Sequence, residues 1–218
     1  MKKVSCSVWV VVCLLVMLVN LKSVYALSIT EGFDTNLDDS WSFTGHGGSG
    51  SYGIDTSSGY AKLNHANQLS NPYVSKLGNV PYLYTTVSGD FEASTYGFAL
   101  NAWTADFKSF GILAEIDYNN YLYLSSEWSN TLGSRIVAYG KVNGKNVTPT
   151  ANVAYGTSST YFKMEKNGNI FSSYFSLDNQ SWIHLGDLSL LINSDDTLKL
   201  GLAVVSARSR SYSRFRLL

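Results

Sequence analysis

The sequence predicts an all-β protein built as a two-sheet antiparallel sandwich. No long segment has the 3.6-residue apolar period of a helix. Short apolar-patterned runs recur instead, with Gly, Asn, Asp and Ser between them. Residues 161–186 (YFKMEKNGNIFSSYFSLDNQSWIHLG) contain two such runs joined by Asn167-Gly168, a strong short-range hairpin signal.

The first 26 residues have the pattern of a secretory leader. Lys2 and Lys3 precede an apolar run over residues 8–19, and Val24-Tyr25-Ala26 provides a cleavage site. The apolar run is too short to span a bilayer comfortably. We therefore expect a signal peptide at 1–26 and one β-sandwich domain at 27–218. The mature protein would be secreted, periplasmic or on the cell surface, with no membrane span.

Cysteine content and charge exclude several classes of function. Cys6 and Cys13 both lie in the leader, so the mature chain can form no disulfide and offers no thiolate. Removing three leader lysines leaves 13 basic residues against 16 acidic ones, a net charge of −3. This balance gives no reason to expect a nucleic-acid partner.

Two hairpins can be placed from their apolar alternation. A two-residue loop at Asn167-Gly168 puts Met164 opposite Phe171 on the expected core face, while Lys163 and Glu165 point the other way.

In the second hairpin, residues 110–124, a three-residue loop at residues 118–120 keeps apolar and polar faces apart. It puts Ile116 opposite Leu122 and Ala114 opposite Leu124 on the core side. The opposite face would carry Glu115, Asp117, Tyr121 and Tyr123.

Several short motifs together resemble one superfamily. Ser176, Asp178 and Trp182 match a Ser-x-Asp-Gly-x-x-Trp pattern, with Asn179 in place of Gly, and Gly201-Leu202 matches a later strand. The chain thus resembles concanavalin A-like jelly-roll domains. Within that superfamily it is most similar to the non-catalytic C-terminal domains of bacterial β-xylosidases. The resemblance implies a jelly-roll sandwich with a lectin-like, carbohydrate-binding role.

The same resemblance bears on metal binding. Some members hold a structural calcium between the first and last strands, but the acidic positions expected there are Gly32 and Ser213 in this chain. A calcium site would have to use Glu31 and Asp34 instead. No other cofactor is expected.

The hairpin at 110–124 also raises the question of catalysis. Glu115-Ile116-Asp117 resembles the start of the Glu-x-Asp-x-x-Glu signature of jelly-roll glucanases, which need paired carboxylates. The third acid is missing, because asparagines stand at 119 and 120. We therefore nominate no catalytic residue.

Aromatic rings beside acids suit carbohydrate, since sugars stack on aromatic faces and hydrogen-bond through their hydroxyls. Trp41 and Trp182 are expected to pack in or beside the core. The other aromatic and acidic positions either bind carbohydrate or form an ordinary exposed strand face. The predicted carbohydrate-binding residues are Glu115, Asp117, Tyr121, Tyr123, Trp103 and Trp128.

The segment 206–218 is rich in arginine and is expected to be a final strand. Arginine binds carboxylate or sulfate bidentately, so an anionic ligand is one interpretation, and a charged edge strand that resists pairing is the other. The residues concerned are Arg208, Arg210, Arg214 and Arg216.

Three functions follow from these patterns. The first is a non-catalytic module that binds a polysaccharide or glycan. The second is a self-associating extracellular structural protein, because the strands are rich in tyrosine and the net charge is low. The third is a jelly-roll glycoside hydrolase or polysaccharide lyase with an unfamiliar site.

Overall fold

The computed structural model describes residues 27–28, 33, 37–44, 50–65, 80–99, 107–129, 131, 133–148, 153–154, 159–192, 196–207 and 211–217. Every regular element within these residues is a β-strand. The predicted leader lies outside them. In the part of the chain described, no helix is long and apolar enough to cross a membrane.

The strands are numbered in chain order. They are β1 Leu27–Ser28, β2 Trp41–Thr44, β3 Gly50–Asp55, β4 Tyr60–His65, β5 Tyr82–Val87, β6 Phe91–Ala99, β7 Phe107–Asp117, β8 Asn120–Ser129, β9 Gly133–Val142, β10 Lys145–Val147, β11 Val153–Ala154, β12 Ser159–Asn167, β13 Ile170–Ser176, β14 Ile183–Ser189, β15 Leu198–Ala207 and β16 Ser211–Leu217.

The strands form two sheets, each with a continuous path of seven strands. Sheet A has the order β14-β13-β12-β6-β16-β4-β3, and sheet B has the order β10-β9-β8-β7-β15-β5-β2. Strand β11 adds to β9, and β1 adds to β6 as a short parallel pair, whereas the other pairings are antiparallel. The predicted all-β, two-sheet antiparallel jelly-roll sandwich is confirmed.

One large apolar cluster fills the space between the sheets. Phe110 of sheet B meets Phe162 and Phe215 of sheet A edge-on, with ring centroids 5.9 and 6.0 Å apart. Each such ring contributes about 1.5–3 kcal/mol by leaving water. Trp41 packs against this cluster as predicted, but Trp182 lies near the ammonium of Lys163 on the far side of sheet A.

The hairpin at residues 161–186 is present with its predicted faces, but its predicted register is wrong by two residues. The turn residues are Gly168 and Asn169, so Met164 lies opposite Ser173 and not Phe171. Gly168 has φ +60°, which suits the first central position of a type II′ turn. Because a shift of two residues preserves the alternation, Met164 and Phe171 are still fully buried.

The hairpin at residues 110–124 also differs from its predicted register. The loop has two residues, Tyr118 and Asn119, and a β-bulge between Glu115 and Asp117 absorbs the extra residue, Ile116. Ala114 therefore lies opposite Leu122 and not Leu124.

The turn after β13 follows the motif that suggested the family. The carboxylate of Asp178 accepts hydrogen bonds from the backbone N–H of Gln180 and Ser181 at 2.8 and 2.7 Å, and from the Ser176 hydroxyl at 2.9 Å. These donors hold the pKa of Asp178 well below its usual range. Asn179 has φ +61°, the left-handed conformation for which glycine is otherwise the usual residue.

Candidate functional site

The face of sheet B that points away from sheet A carries a second apolar cluster. This outer face of sheet B is rich in tyrosine, and its centre is closed to solvent: Tyr121 is 1% exposed and Tyr123 is 0% exposed. These two tyrosines, which the sequence predicts to bind carbohydrate, are therefore not exposed. Alternation identified the face that they share, but it cannot show whether that face is covered. The cluster's buried members are Val80, Tyr82, Phe107, Leu113, Tyr121, Tyr123, Ala203 and Val205, with Tyr84 and Tyr139 packed against them.

Two of these tyrosines cross neighbouring strands to reach backbone carbonyls. Tyr82 donates from its hydroxyl to the carbonyl of Leu113 at 2.8 Å, across β15. Tyr123 donates to the carbonyl of Ala203 at 3.2 Å, across β7, and also contacts the Ser109 hydroxyl at 3.2 Å. Burial raises the pKa of both phenols far above the ordinary value, so they remain neutral donors.

A glycine lies on β7 beneath this layer. A Cβ at Gly111 would lie 1.9 Å from the carbonyl oxygen of Leu124 on the next strand, so no side chain is tolerated there. Gly111 belongs to the Gly-Ile-Leu run of the predicted hairpin, and its role is close strand approach.

A buried ion pair lies further along the same face. Glu127 on β8 is directly opposite Arg135 on β9, and Glu127 Oε2 accepts from Arg135 Nε at 2.9 Å and Nη2 at 2.7 Å. Their side chains are 3% and 13% exposed. Burial raises the pKa of Glu127, and the Arg135 charge opposes that rise. The sequence did not single out this pair, because pairing the two positions requires the register of β8 with β9.

One end of the outer face remains open and carries charge. Glu115 Oε2 lies 3.6 Å from Lys199 Nζ, and that ammonium lies 5.4 Å from the centroid of the Tyr84 ring. Nearby, Lys141 Nζ lies 4.2 Å from the centroid of the Tyr118 ring, which is 45% exposed. We call these five residues the charged rim. The rim combines a carboxylate, two ammonium groups and two aromatic rings at the edge of a buried tyrosine layer.

The structure separates the six residues predicted to bind carbohydrate. Glu115 and Tyr121 are cross-strand neighbours, and Tyr123 continues their face. Asp117 instead caps the hairpin turn, accepting from the backbone N–H of Asn119 at 2.6 Å, because the bulge at Ile116 breaks the alternation. Trp128 lies opposite Lys108 at the far end of β8, half-buried, and Trp103 is outside the described residues.

The arginine-rich strand is not at an edge. Strand β16 lies between β6 and β4 in sheet A, so the edge-strand interpretation of this segment is wrong. Arg216 is exposed on the outer face of sheet A, opposite Tyr96, and Arg214 has a register position between Phe98 and Lys62. Arg208 and Arg210 lie outside the described residues.

The calcium hypothesis falls mostly outside the described chain, since Glu31 and Asp34 are not among its residues. Ser213, at one of the positions where the family's acid is expected, is buried in β16. Among the residues that the structure describes, no three or more His, Cys, Asp or Glu side chains are grouped to hold a metal ion.

Comparison with known proteins supports the fold. The sequence matches no family model and has no significant match among curated proteins. Solved structures do match, at low sequence identity. A functionally unknown protein from Saccharomyces cerevisiae aligns with a TM-score of 0.66 and 14% identity over 82% of this chain and 96% of its own.

Two further matches carry names that describe carbohydrate proteins. A xylan β-1,4-xylosidase from Bacillus halodurans aligns with a TM-score of 0.60 and 13% identity over 85% of this chain, but over only 38% of its own length. The CBM2 module of the Dit protein of Lactobacillus casei phage J-1 aligns with a TM-score of 0.57 and 10% identity, over 84% of this chain and 93% of its own. At these identities the matches establish a shared jelly-roll sandwich.

Proposed function

We propose that this protein is an extracellular, non-catalytic module that binds a polysaccharide or glycan at the charged rim of sheet B. The observation that carries the proposal is the rim itself, where the Tyr84 ring lies beside Lys199 of the Glu115–Lys199 pair and the Tyr118 ring lies beside Lys141. Sugar rings stack their C–H faces on aromatic rings, and their hydroxyls bind carboxylate and ammonium groups. The rim offers both kinds of contact in one place.

A binding role suits the rim better than hydrolysis does. Glycoside hydrolysis ordinarily requires two carboxylates that flank the scissile bond. Near Glu115, the carboxylate of Asp117 is engaged in the hairpin turn, and that of Glu127 is buried against Arg135. Glu115 itself lies beside the Lys199 ammonium, so no second free carboxylate is placed with it among the described residues of the rim.

The matched structures add support from the fold. A xylan-cleaving enzyme and a carbohydrate-binding module share this sandwich with the present chain. Because one fold serves many functions, the likeness raises the expectation of a carbohydrate ligand without identifying the sugar. The leader pattern at residues 1–26 favours an extracellular location, where such ligands occur.

Binding to a panel of immobilised plant, fungal and bacterial polysaccharides tests the proposal. For the best ligand, we expect Glu115→Gln with Lys199→Ala to raise Kd at least about tenfold, because charged hydrogen bonds contribute about 1.5–3 kcal/mol. The control is Lys145→Ala, which removes an exposed ammonium from the short strand β10. Equal loss in both variants would contradict the assignment to the rim, and a folded sample that binds no glycan would reject the function.

A further inference from the structure

The chain contains two Asn-x-Ser/Thr sequences, the acceptor pattern for N-linked glycosylation. They are Asn146-Val147-Thr148 and Asn179-Gln180-Ser181. An N-linked oligosaccharide is bulky and hydrated, so its asparagine must lie at the surface of the folded protein. The leader pattern at residues 1–26 would carry the chain into the secretory pathway, where this modification occurs. The two sequences differ in their structural setting.

Asn146 lies on β10, which ends the seven-strand path of sheet B. The Asn143-Gly144 turn that leads into β10 has φ values of +51° and +75°, as in a type I′ hairpin turn. Val147 packs against the core between the sheets, so alternation places the Asn146 side chain on the outer face of sheet B. Asn146 and Thr148 are both exposed, and an oligosaccharide attached at Asn146 would project into solvent.

Asn179 lies in the tight turn between β13 and β14 and is partly buried. The carboxylate of Asp178 closes this turn by accepting from the backbone N–H of both Gln180 and Ser181. An enzyme that modifies Asn179 must bind all three residues of the acceptor sequence in its own active site, and a closed turn resists that rearrangement. Because the turn depends on contacts between near neighbours in sequence, it forms as soon as the segment folds. We therefore expect modification at Asn146 and not at Asn179.

The strand registers place Asn146 in line with the charged rim. Cross-strand neighbours on the outer face of sheet B form one row from β15 to β10. That row contains, in order, Lys199, Glu115, Tyr121, Lys141 and Asn146. Asn146 is therefore one strand from Lys141 and three strands from Glu115, which is about 5 Å and about 14 Å at the usual strand spacing.

We infer that Asn146 is a site of N-linked glycosylation and that its oligosaccharide lies over the charged rim. The donor is a lipid-diphosphate-linked oligosaccharide of the secretory pathway, and an oligosaccharyltransferase catalyses the transfer. Asn146 Nδ2 forms a bond to C1 of the first sugar, and the bond from C1 to the diphosphate oxygen breaks. The lipid diphosphate leaves with that electron pair, and Nδ2 gives up one proton.

The effect on binding rests on the proposed function, because it assumes that the rim binds sugars. An oligosaccharide of several linked rings is long enough to reach from Asn146 to Glu115, and it meets Lys141 and Tyr118 first. Since it is attached to the same chain, its effective concentration at the rim is high. The glycosylated protein should therefore bind external polysaccharide more weakly than the same protein without its sugar.

Intact-mass analysis of the full chain, secreted from eukaryotic cells through its own leader, tests the modification. We expect one oligosaccharide per chain, removed by peptide N-glycosidase with conversion of Asn146 to aspartate. Thr148→Ala should abolish the modification, whereas Ser181→Ala, the matched control, should leave it unchanged. An unmodified Asn146, in secreted or retained chain, overturns the inference, and so does an oligosaccharide on Asn179.

Lysine acetylation, compared before and after removal of the oligosaccharide, tests whether the rim is covered without using any external ligand. Lys199 should react at least about threefold faster after removal, because the attached sugar is concentrated at the rim. Lys62, exposed on the outer face of sheet A, is the control and should react equally in both forms. Equal rates at Lys199 would overturn the covering of the rim. If neither form binds any polysaccharide, the proposed function fails, while the mass and acetylation results still decide this inference.

Discussion

Loss of the arginine in the buried Glu127–Arg135 pair should destabilise the protein strongly. Arg135→Met leaves a carboxylate that is 3% exposed without its cation. Breaking a buried pair in this way costs about 3–5 kcal/mol. Because the Arg135 side chain is itself 13% exposed, we expect a loss near the lower end, about 3 kcal/mol. With an m-value of about 2 kcal/mol/M, the urea midpoint should fall by about 1.5 M.

The same substitution should also change how the stability of the protein depends on pH. Burial raises the folded-state pKa of Glu127, and removing Arg135 raises it further. A carboxyl whose pKa is higher in the folded state stabilises folding fully below its unfolded pKa, about 4.3, and loses that contribution as pH rises towards the folded value. The gap in unfolding free energy between wild type and Arg135→Met should therefore widen from about pH 5 to about pH 8.

Urea unfolding followed by tryptophan fluorescence measures both effects. The matched control is the double variant Glu127→Leu with Arg135→Met, which removes both charges and should lie within about 1 kcal/mol of wild type, or above it. A loss below about 1 kcal/mol in Arg135→Met, with no change between the two pH values, would refute the reasoning, because it would mean that solvent already screens the pair.

Three further predictions concern single features of the fold. Gly168→Ala should lower the free energy of unfolding in urea by about 1–2 kcal/mol, because φ is +60° at that position. Asn167→Ala should be near neutral, since Asn167 lies outside the two-residue turn. A larger loss in Asn167→Ala than in Gly168→Ala would instead support a turn at Asn167-Gly168. Asp178→Asn should make thermal stability less sensitive to acid. A carboxyl whose pKa is lowered in the folded state stabilises the protein above its unfolded pKa, and that stabilisation is lost as pH falls through the folded pKa. If the melting temperature of the variant falls with acid as steeply as that of the wild type, the capping role is contradicted. Tyr123→Phe should lose about 1–2 kcal/mol through the unsatisfied Ala203 carbonyl and Ser109 hydroxyl, and no loss would mean that water replaces the phenol.

The fold could be predicted because its signals are local. Alternation in residues 161–175 identified the core face, and the Ser176–Trp182 motif identified the turn that Asp178 organises. The two registers could not be settled in the same way, since a displacement of two residues leaves every side chain on its predicted face. The choice depended on turn geometry at Gly168 and on the bulge at Ile116, which alternation does not reveal.

The candidate site was only partly predictable, because burial depends on partners distant in sequence. Tyr121 and Tyr123 have the alternation of an exposed face, yet both belong to a closed layer completed by residues from β5, β9 and β15. Lys199, which joins Glu115 at the rim, comes from a strand more than 80 positions away. The sequence contains no signal for that approach other than the position of β15 in the sheet.

The place of β16 in sheet A bears on the order in which the protein folds. This strand joins β6 on one side to β4 on the other, with nine strands intervening in sequence between β6 and β16. Before β16 emerges, sheet A is two separate pieces with open edges, and its closure depends on contacts of very long sequence separation. A truncation before residues 211–217 would therefore leave the facing edges of β6 and β4 unpaired and exposed to aggregation.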